Sequence, residues 1–206
     1  MTKLLEMFTL CRVRNELTHQ GPFFNRTTAI WTAVASAAFL LALRLMGRLW
    51  IAEEGFGIFT SDAWSTVTSQ LLFDPYSLSH VLHGVVFFYA LQFFRKRLTM
   101  PWMFFIAILI EMAWEIFENT PFIINRYRTE TASLNYFGDS ILNSFGDLLS
   151  MFAGLWLAAR LSWKIVLPLF LGIELIMLFT IRDNLTLNII MLLYPIPGIS
   201  EWQQAH

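Results

Sequence analysis

The chain has little charge: Asp, Glu, Lys and Arg make up 14% of its 206 residues, where soluble domains approach a quarter. It has a single cysteine, Cys11, so an intrachain disulfide is excluded, and no metal-ligand spacing surrounds that thiol, which reads as a bystander. It has no dense field of Lys or Arg, and its formal net charge is -1, which argues against nucleic acid as a partner. It has no Gly-rich phosphate loop, no Ser between paired glycines and no His-Glu-x-x-His, so several established nucleotide, hydrolase and zinc-protease signatures are missing. Internal repeats, low-complexity tracts and linkers are also absent. No short apolar region with a small-residue cleavage site stands near its start, so the first apolar run is expected to be a retained anchor.

What is present is hydrophobic. Apolar residues make up 56% of the chain and aromatic ones 16%, arranged in runs close to the ~20 residues that cross a bilayer as a helix. The runs and their breakers predict an all-α polytopic bundle with five spans, over 28–46, 77–94, 101–118, 139–159 and 163–181. A short sixth segment, 185–194, closed by Pro195 and Pro197, is expected to be a further or re-entrant helix. One transmembrane domain, 28–195, would then lie between an N-terminal segment, 1–27, and a C-terminal tail, 196–206. The small residues Ala33, Ala35, Ser36, Ala37 and Ala38 suit close helix packing in the first span. Phe87, Phe88, Trp102, Phe104 and Phe105 are expected to face lipid or the interfacial belt.

Orientation follows from where Lys and Arg fall in the short loops. Lys3, Arg12, Arg14 and Arg26 precede the first span, Arg95, Lys96 and Arg97 follow the second, and Arg160 and Lys164 bracket the turn after the fourth. These share one side, expected to be cytoplasmic together with the N-terminus. The long connections, 49–76 and 119–138, fall on the other side, where they can roof a site.

Four polar clusters interrupt the apolar background, and the topology sets all of them at one depth near the outer side. Glu111, Glu115 and Glu118 are spaced i, i+4, i+7 and share a helical face. At about 2.5–3.5 kcal/mol per charged residue near a helix centre, three unpaired acids in lipid cost on the order of 8–10 kcal/mol, so they must face inward. The bland account is a packing network with Arg126, Arg128 or Arg182. His80 and His83 are i, i+3 neighbours that can offer two imidazoles to one ion, or simply bond to loops. Asp139, Asn143 and Asp147, at i, i+4, i+8, form a second ridge able to oppose the glutamates; Asp139 alone would serve as a helix cap, which Asp147 cannot. Gly138, Gly146 and Gly154 let a neighbour approach. Arg182 and Asp183 end the fifth span, with Asn184 and Asn188 beyond them; either Arg182 snorkels and Asp183 caps the next helix, or Arg182 binds an anionic head group or neutralises the acidic cluster. Glu174 stands alone. Ser79, beside His80, has no base assured by adjacency.

The strings DPYSLSHVLHG (74–84), EMAWEIFENTPFIINRYR (111–128), YFGDSILNS (136–144) and IRDNLTLNIIMLLYP (181–195) resemble an uncharacterised family of small bacterial inner-membrane proteins. That resemblance implies a multi-pass plasma-membrane protein and no particular chemistry. More distantly, Asp139, Asn143 and Gly146 after a Glu-bearing helix are similar to VanZ-like membrane proteins; Asp147 and Gly154 share the spacing, with Met151 in place of the Asn.

Two functions compete. In the first, an outer-leaflet metal-assisted hydrolase or transferase acts on a lipid or lipid-linked substrate: His80, His83, Glu115 and Asp147 hold zinc, iron or manganese, Glu111 or Glu118 acts as base, and Arg182, Arg126 and Asn188 bind substrate. In the second, the acidic face handles cations or protons without catalysis. The missing inverted repeat counts against an autonomous transporter, unless the chain forms a homo-oligomer. A membrane assembly factor held together by the same polar network is the blandest alternative. Membrane lipids are the expected partners.

Overall fold

A computed structural model describes residues 22–131 and 133–205. Cys11, Lys3, Arg12 and Arg14 lie outside the described residues. Among the described residues every regular element is a helix: α1 (Arg26–Leu45), α2 (Ser77–Gln92), α3 (Met100–Glu118), α4 (Pro121–Glu130), α5 (Ile141–Arg160), α6 (Trp163–Ile181), α7 (Leu185–Leu193) and α8 (Pro197–Gln204). The β pairing among them is limited to two isolated bridges, Ala52 with Gly55 and Phe59 with Phe73. The expected all-α bundle is therefore what forms.

Helices α1, α3, α5 and α6 are long and apolar enough to cross a membrane, which makes the chain a membrane protein by helix length and composition. The second expected span is shorter than its apolar run. Helix α2 has 16 residues, and Phe93 and Phe94 stand in the turns that follow it. The five expected crossings thus become four helices of crossing length and a shorter central one.

Helix α2 is central because it packs backbone to backbone with α5. A Cβ at Gly84 would collide with the Met151 carbonyl, and one at Gly154 with the Val81 carbonyl, so glycine on both helices is what permits the approach. Gly146 admits the Leu72 carbonyl of the 46–76 connection in the same way. Around this contact Leu43 of α1, Phe88 of α2, Phe104 of α3, Leu155 of α5 and Val166 of α6 close one core. In lipid such a core holds by dispersion and fit, since the tails outside are equally apolar.

Caps fix where the helices begin. Asn25 and Thr28 form a capping box on α1, Ser140 accepts the Asn143 N–H at 3.1 Å on α5, and Asn184 accepts the Leu187 N–H at 2.8 Å on α7. Two sequence expectations change here. Asp139 is not the cap of α5 and Asp183 is not the cap of α7, because the next residue in each case has the extended backbone of the cap position. The expected C-terminal tail contains α8, whose Gln203 is buried and donates to the Arg182 carbonyl at 3.0 Å and to Asp183 Oδ1 at 3.1 Å.

Candidate functional site

The site begins at the turn that launches α2. The Asp74 carboxylate accepts the N–H groups of Tyr76 at 2.7 Å, Ser77 at 3.2 Å and Ser69 at 2.8 Å, and the Asp74 N–H donates to Ser77 Oγ at 3.1 Å. Burial raises the Asp74 carboxyl above its ordinary value, opposed by those N–H donors. This turn aims the first two turns of α2, and with them His80 and His83, at α3.

Helix α3 answers with its glutamate face. His80 Nδ1 lies 2.6 Å from Glu111 Oε1 and 3.4 Å from Glu115 Oε1, while His80 Nε2 faces Asp147 Oδ2 at 3.9 Å. His83 Nδ1 is 3.2 Å from both Glu111 oxygens. The two imidazoles meet edge to face at 5.0 Å, and Phe87 and Trp114 flank His83 at 5.7 and 6.1 Å. Asp147, two turns into α5, accepts the Ser77 hydroxyl at 2.9 Å. Three helices thereby converge on His80.

Glu115 is the exception within the cluster. It is fully buried, and neither carboxylate oxygen takes a hydrogen bond from the described residues. An acid in that position is costly unless something meets its charge. Ligand atoms of His80, His83 and Glu111 lie within 4.8 Å of one another, as do those of His80, Glu115 and Glu118. Donors bound at about 2.0–2.2 Å to a tetrahedral ion sit roughly 3.3–3.6 Å apart. The 3.4 Å between His80 and Glu115 and the 3.2 Å between His83 and Glu111 approach that spacing, whereas 2.6 Å between His80 and Glu111 is a hydrogen-bond length.

The structure thus brings together His80, His83, Glu111, Glu115, Glu118 and Asp147 from the expected set. Asn188 joins the wall, accepting the Tyr127 hydroxyl at 3.1 Å. The arginines go elsewhere. Arg126 Nε donates to the Leu192 carbonyl at 3.0 Å, Arg182 donates to the Trp202 carbonyl at 3.0 Å, and Arg128 lies 4.3 Å over the Phe137 ring. Helix α4 carries Arg126 toward the end of α7, and Arg182 sits in a left-handed turn, φ 54°, that directs it to α8. Among the described residues the ion pairs are all histidine with carboxylate. Imidazoles take the place beside the glutamates that the bland sequence account gave to arginine.

The second acidic ridge divides. Asn143 donates to the Leu71 carbonyl at 2.8 Å and holds the long connection down. Asp139 accepts from Asn119 Nδ2 at 2.6 Å and from the Tyr136 hydroxyl at 2.8 Å. Burial is the largest influence on the Asp139 carboxyl and pushes it up to about 6. Ser79 Oγ makes its contact with Met177 Sδ at 3.7 Å.

Beside the cluster opens a cavity of about 410 Å3, lined by His80, His83, Glu118, Asp139 and Asp147 together with Tyr76, Tyr127 and Tyr136. Both long connections contribute to its wall, through Trp64 and Thr68 on one side and Ser133 and Leu134 on the other. The three tyrosines were not legible as site residues, because among 20 Phe, 8 Trp and 5 Tyr an isolated tyrosine in a connection carries no periodic signal. Burial raises each phenol above its ordinary value. Asn119, also missed, had one usable signal: it follows a Glu-bearing helix and precedes Thr-Pro, a helix-ending turn.

Fold and site together define a helical membrane protein whose buried histidine–carboxylate cluster borders a largely apolar cavity. The chain belongs to the bacterial family described as Protein of unknown function (DUF2585), which matches residues 43–205. It is 43% identical over 183 residues to a UPF0314 protein of Sinorhizobium fredii, covering 87% of this chain and 93% of that one. It is 42% identical over 188 residues to a UPF0314 protein of Paracoccus denitrificans, covering 88% and 96%. A UPF0314 protein of Rhizobium meliloti is 43% identical over 185 residues, with 87% and 93% covered. No solved structure matches the chain. The likeness to VanZ-like proteins stays at the level of a short motif.

Proposed function

We propose that this protein is a membrane-embedded, metal-assisted hydrolase or transferase acting on a lipid or lipid-linked substrate. The observation that carries the proposal is Glu115, fully buried with no hydrogen bond to either oxygen from the described residues, beside His80 and Glu118. His80, His83, Glu111 and Glu115 would supply the donors, drawn from two triads that share His80, with Glu111 in the place expected for Asp147, which accepts the Ser77 hydroxyl instead; mixed imidazole and carboxylate donors suit zinc, iron or manganese. Such an ion polarises a carbonyl or phosphoryl group and makes water more acidic.

The chain's own residues supply the rest. Asp147, fixed by Ser77, faces His80 Nε2 and orients the ring, as carboxylates behind metal-binding histidines do. Glu118 lines the cavity and is only partly buried, so it is the group placed to take a proton from an attacking water or hydroxyl. The Lys and Arg distribution supports a bacterial plasma-membrane location with the N-terminus cytoplasmic and the site toward the outer leaflet.

Elemental analysis of detergent-purified protein tests the metal. Wild type should hold it stoichiometrically, and His83→Ala and Glu115→Gln should each lose most of it while remaining monodisperse. A metal-free wild type, or unchanged content in both variants, overturns the proposal. A second function has one observation in its favour: ionisable groups stand in line from Glu111 through His80 to Asp147, at 2.6 and 3.9 Å, as along a proton or cation path. Cation-dependent flux in proteoliposomes, abolished in Glu115→Gln, would select it over the enzyme.

A further inference from the structure

The cavity has a side as well as a roof. Val86 on α2 and Ile110 on α3 line it, yet they remain 45% and 41% exposed. Phe87 and Trp114, each packed against His83, continue the same wall. Helix α3 is of membrane-crossing length, so what meets Val86 and Ile110 from outside is acyl chain, not water. The cavity wall is therefore apolar where α2 and α3 meet the hydrocarbon and acidic at its far end.

The polar end of the cavity has a definite charge character. Among the described residues no Lys or Arg lines it, while Asp74, Glu118, Asp139 and Asp147 do. A phosphate or carboxylate head depends on Arg, Lys or converging N–H groups, and the arginines proposed from sequence for that task, Arg126 and Arg182, are bonded to carbonyls outside the wall. A cationic head fits poorly for a different reason. Three of these four acids already have partners: Asp74 has three backbone N–H groups, Asp139 has Tyr136 and Asn119, and Asp147 has Ser77 with His80 nearby, while the fourth, Glu118, is the group assigned above to take a proton. What the wall offers in addition is hydroxyl chemistry: Tyr76 accepts the Ser133 hydroxyl at 3.1 Å and keeps its own O–H to donate, and Tyr127, whose O–H goes to Asn188 at 3.1 Å, keeps an oxygen that accepts. A volume of about 410 Å3 is at the small end of the range for ligand pockets, enough for a compact head and not for a whole lipid.

We infer that the cavity takes the uncharged, hydroxyl-bearing head of a membrane lipid, a glycerol or a sugar, entering sideways between α2 and α3 with its chain left outside along Val86 and Ile110. This rests on the lipid substrate proposed above and names its class and its route. Substrate selection then follows from charge: the head must bring hydroxyls and leave phosphate behind.

Photolabelling of purified wild type with a photoreactive dioleoylglycerol tests this, in competition with unlabelled lipids of the same chains. Dioleoylglycerol and its monoglucosyl derivative should suppress labelling at least about tenfold better than dioleoyl-phosphatidic acid or the trimethylammonium-propane analogue, a gap of one decade in affinity. Val86→Trp with Ile110→Trp should narrow the gap and cut labelling by about fivefold, with metal content unchanged. Tyr127→Phe, which keeps the ring, should weaken the glucosyl competitor selectively and serves if the double variant does not fold. Equal or better competition by phosphatidic acid or by the cationic lipid overturns the inference, and so does wild-type labelling in a folded double variant. Metal content separates the two proposals: selective labelling of a metal-free protein removes the metal-assisted enzyme and keeps the lipid site, whereas stoichiometric metal without selective labelling does the reverse.

Discussion

Helices α5 and α6 follow one another in the chain, are 20 and 19 residues long, and are both apolar enough to cross a membrane, yet 56% of the crossing window of α5 is buried and only 22% of that of α6. Overall hydrophobicity runs opposite to burial here. Helix α6 is the more hydropathic of the two, and its outward positions, Leu175, Ile176 and Phe179, are more than half exposed. Helix α5 carries Asn143, Ser144, Gly146, Asp147, Ser150 and Gly154, all buried. In a bilayer, where leucine gains little by moving from lipid to protein, small and polar residues mark the inward face.

Glycine substitution should separate the two helices most sharply. Gly154→Leu places a side chain against the Val81 carbonyl, where relief requires moving backbone; the cost should exceed the ~1–3 kcal/mol of ordinary overpacking and abolish the monodisperse peak in size-exclusion chromatography. Gly172→Leu, in α6, has nothing within 4 Å of the added Cβ and should leave the elution profile and melting temperature unchanged. Equal tolerance at both positions would erase the contrast.

The polar cluster is the second distinction. His80→Ala leaves Glu115 and Asp147 with no imidazole beside them and Glu111 with His83 alone, and removing one partner of a buried pair costs about 3–5 kcal/mol. Thermal melting in detergent should show it. Adding Glu111→Gln to His80→Ala should recover part of the loss, because the two effects belong to one contact. Simple additivity of the two losses would mean that the contact contributes nothing.

The acids just outside the crossing helices should make stability depend on pH. Burial raises Asp139 from 3.8 to about 6 and Asp183 from 3.8 to about 7. A carboxyl raised in the folded state binds its proton more tightly there than in the unfolded chain. Stability is therefore highest at low pH, falls as pH rises past 3.8, and levels off above about 6 for Asp139 and about 7 for Asp183. The decline is on the order of 3–4 kcal/mol at most per group. Asp183→Asn should flatten the upper part of the profile, and Asp139→Asn the part below pH 6. A wild-type melting temperature that climbs from pH 4 to 7 contradicts the assignment.

Much of the site was legible because its signal is local. The i, i+4, i+7 glutamates and the i, i+3 histidines each define a face, and the alternation of spans brings those faces to one end of the bundle. Hydrogen-bond direction was not legible. Arg126 and Arg182 looked like partners for the acids by proximity along the chain, but a left-handed turn at Arg182 and the course of α4 decide where each guanidinium goes. The cap positions at Ser140 and Asn184 were missed by one residue, since Asp, Asn and Ser are all competent caps and only backbone geometry chooses among them. The length of α2 was overestimated because apolar Phe93 and Phe94 continue the composition of the helix after its hydrogen bonding has ended.

The smallest expected effect is also the most direct check on the outward face of α6. Phe179 is 79% exposed near the end of α6, and in a soluble protein an exposed phenylalanine of that size would invite a partner or aggregation. Surrounded by acyl chains it needs none, since lipid already supplies dispersion contacts. Phe179→Ala should therefore change stability in lipid nanodiscs by no more than about 0.5 kcal/mol, as at sites free of packing or bonding constraints. Phe104→Ala, on a fully buried side chain of α3, should cost several times as much, toward the ~3–5 kcal/mol of a large core truncation. If Phe179→Ala instead destabilises the protein as strongly as Phe104→Ala, then α6 is covered by protein and not by lipid. The difference in burial between α5 and α6 would then hold only for the isolated chain.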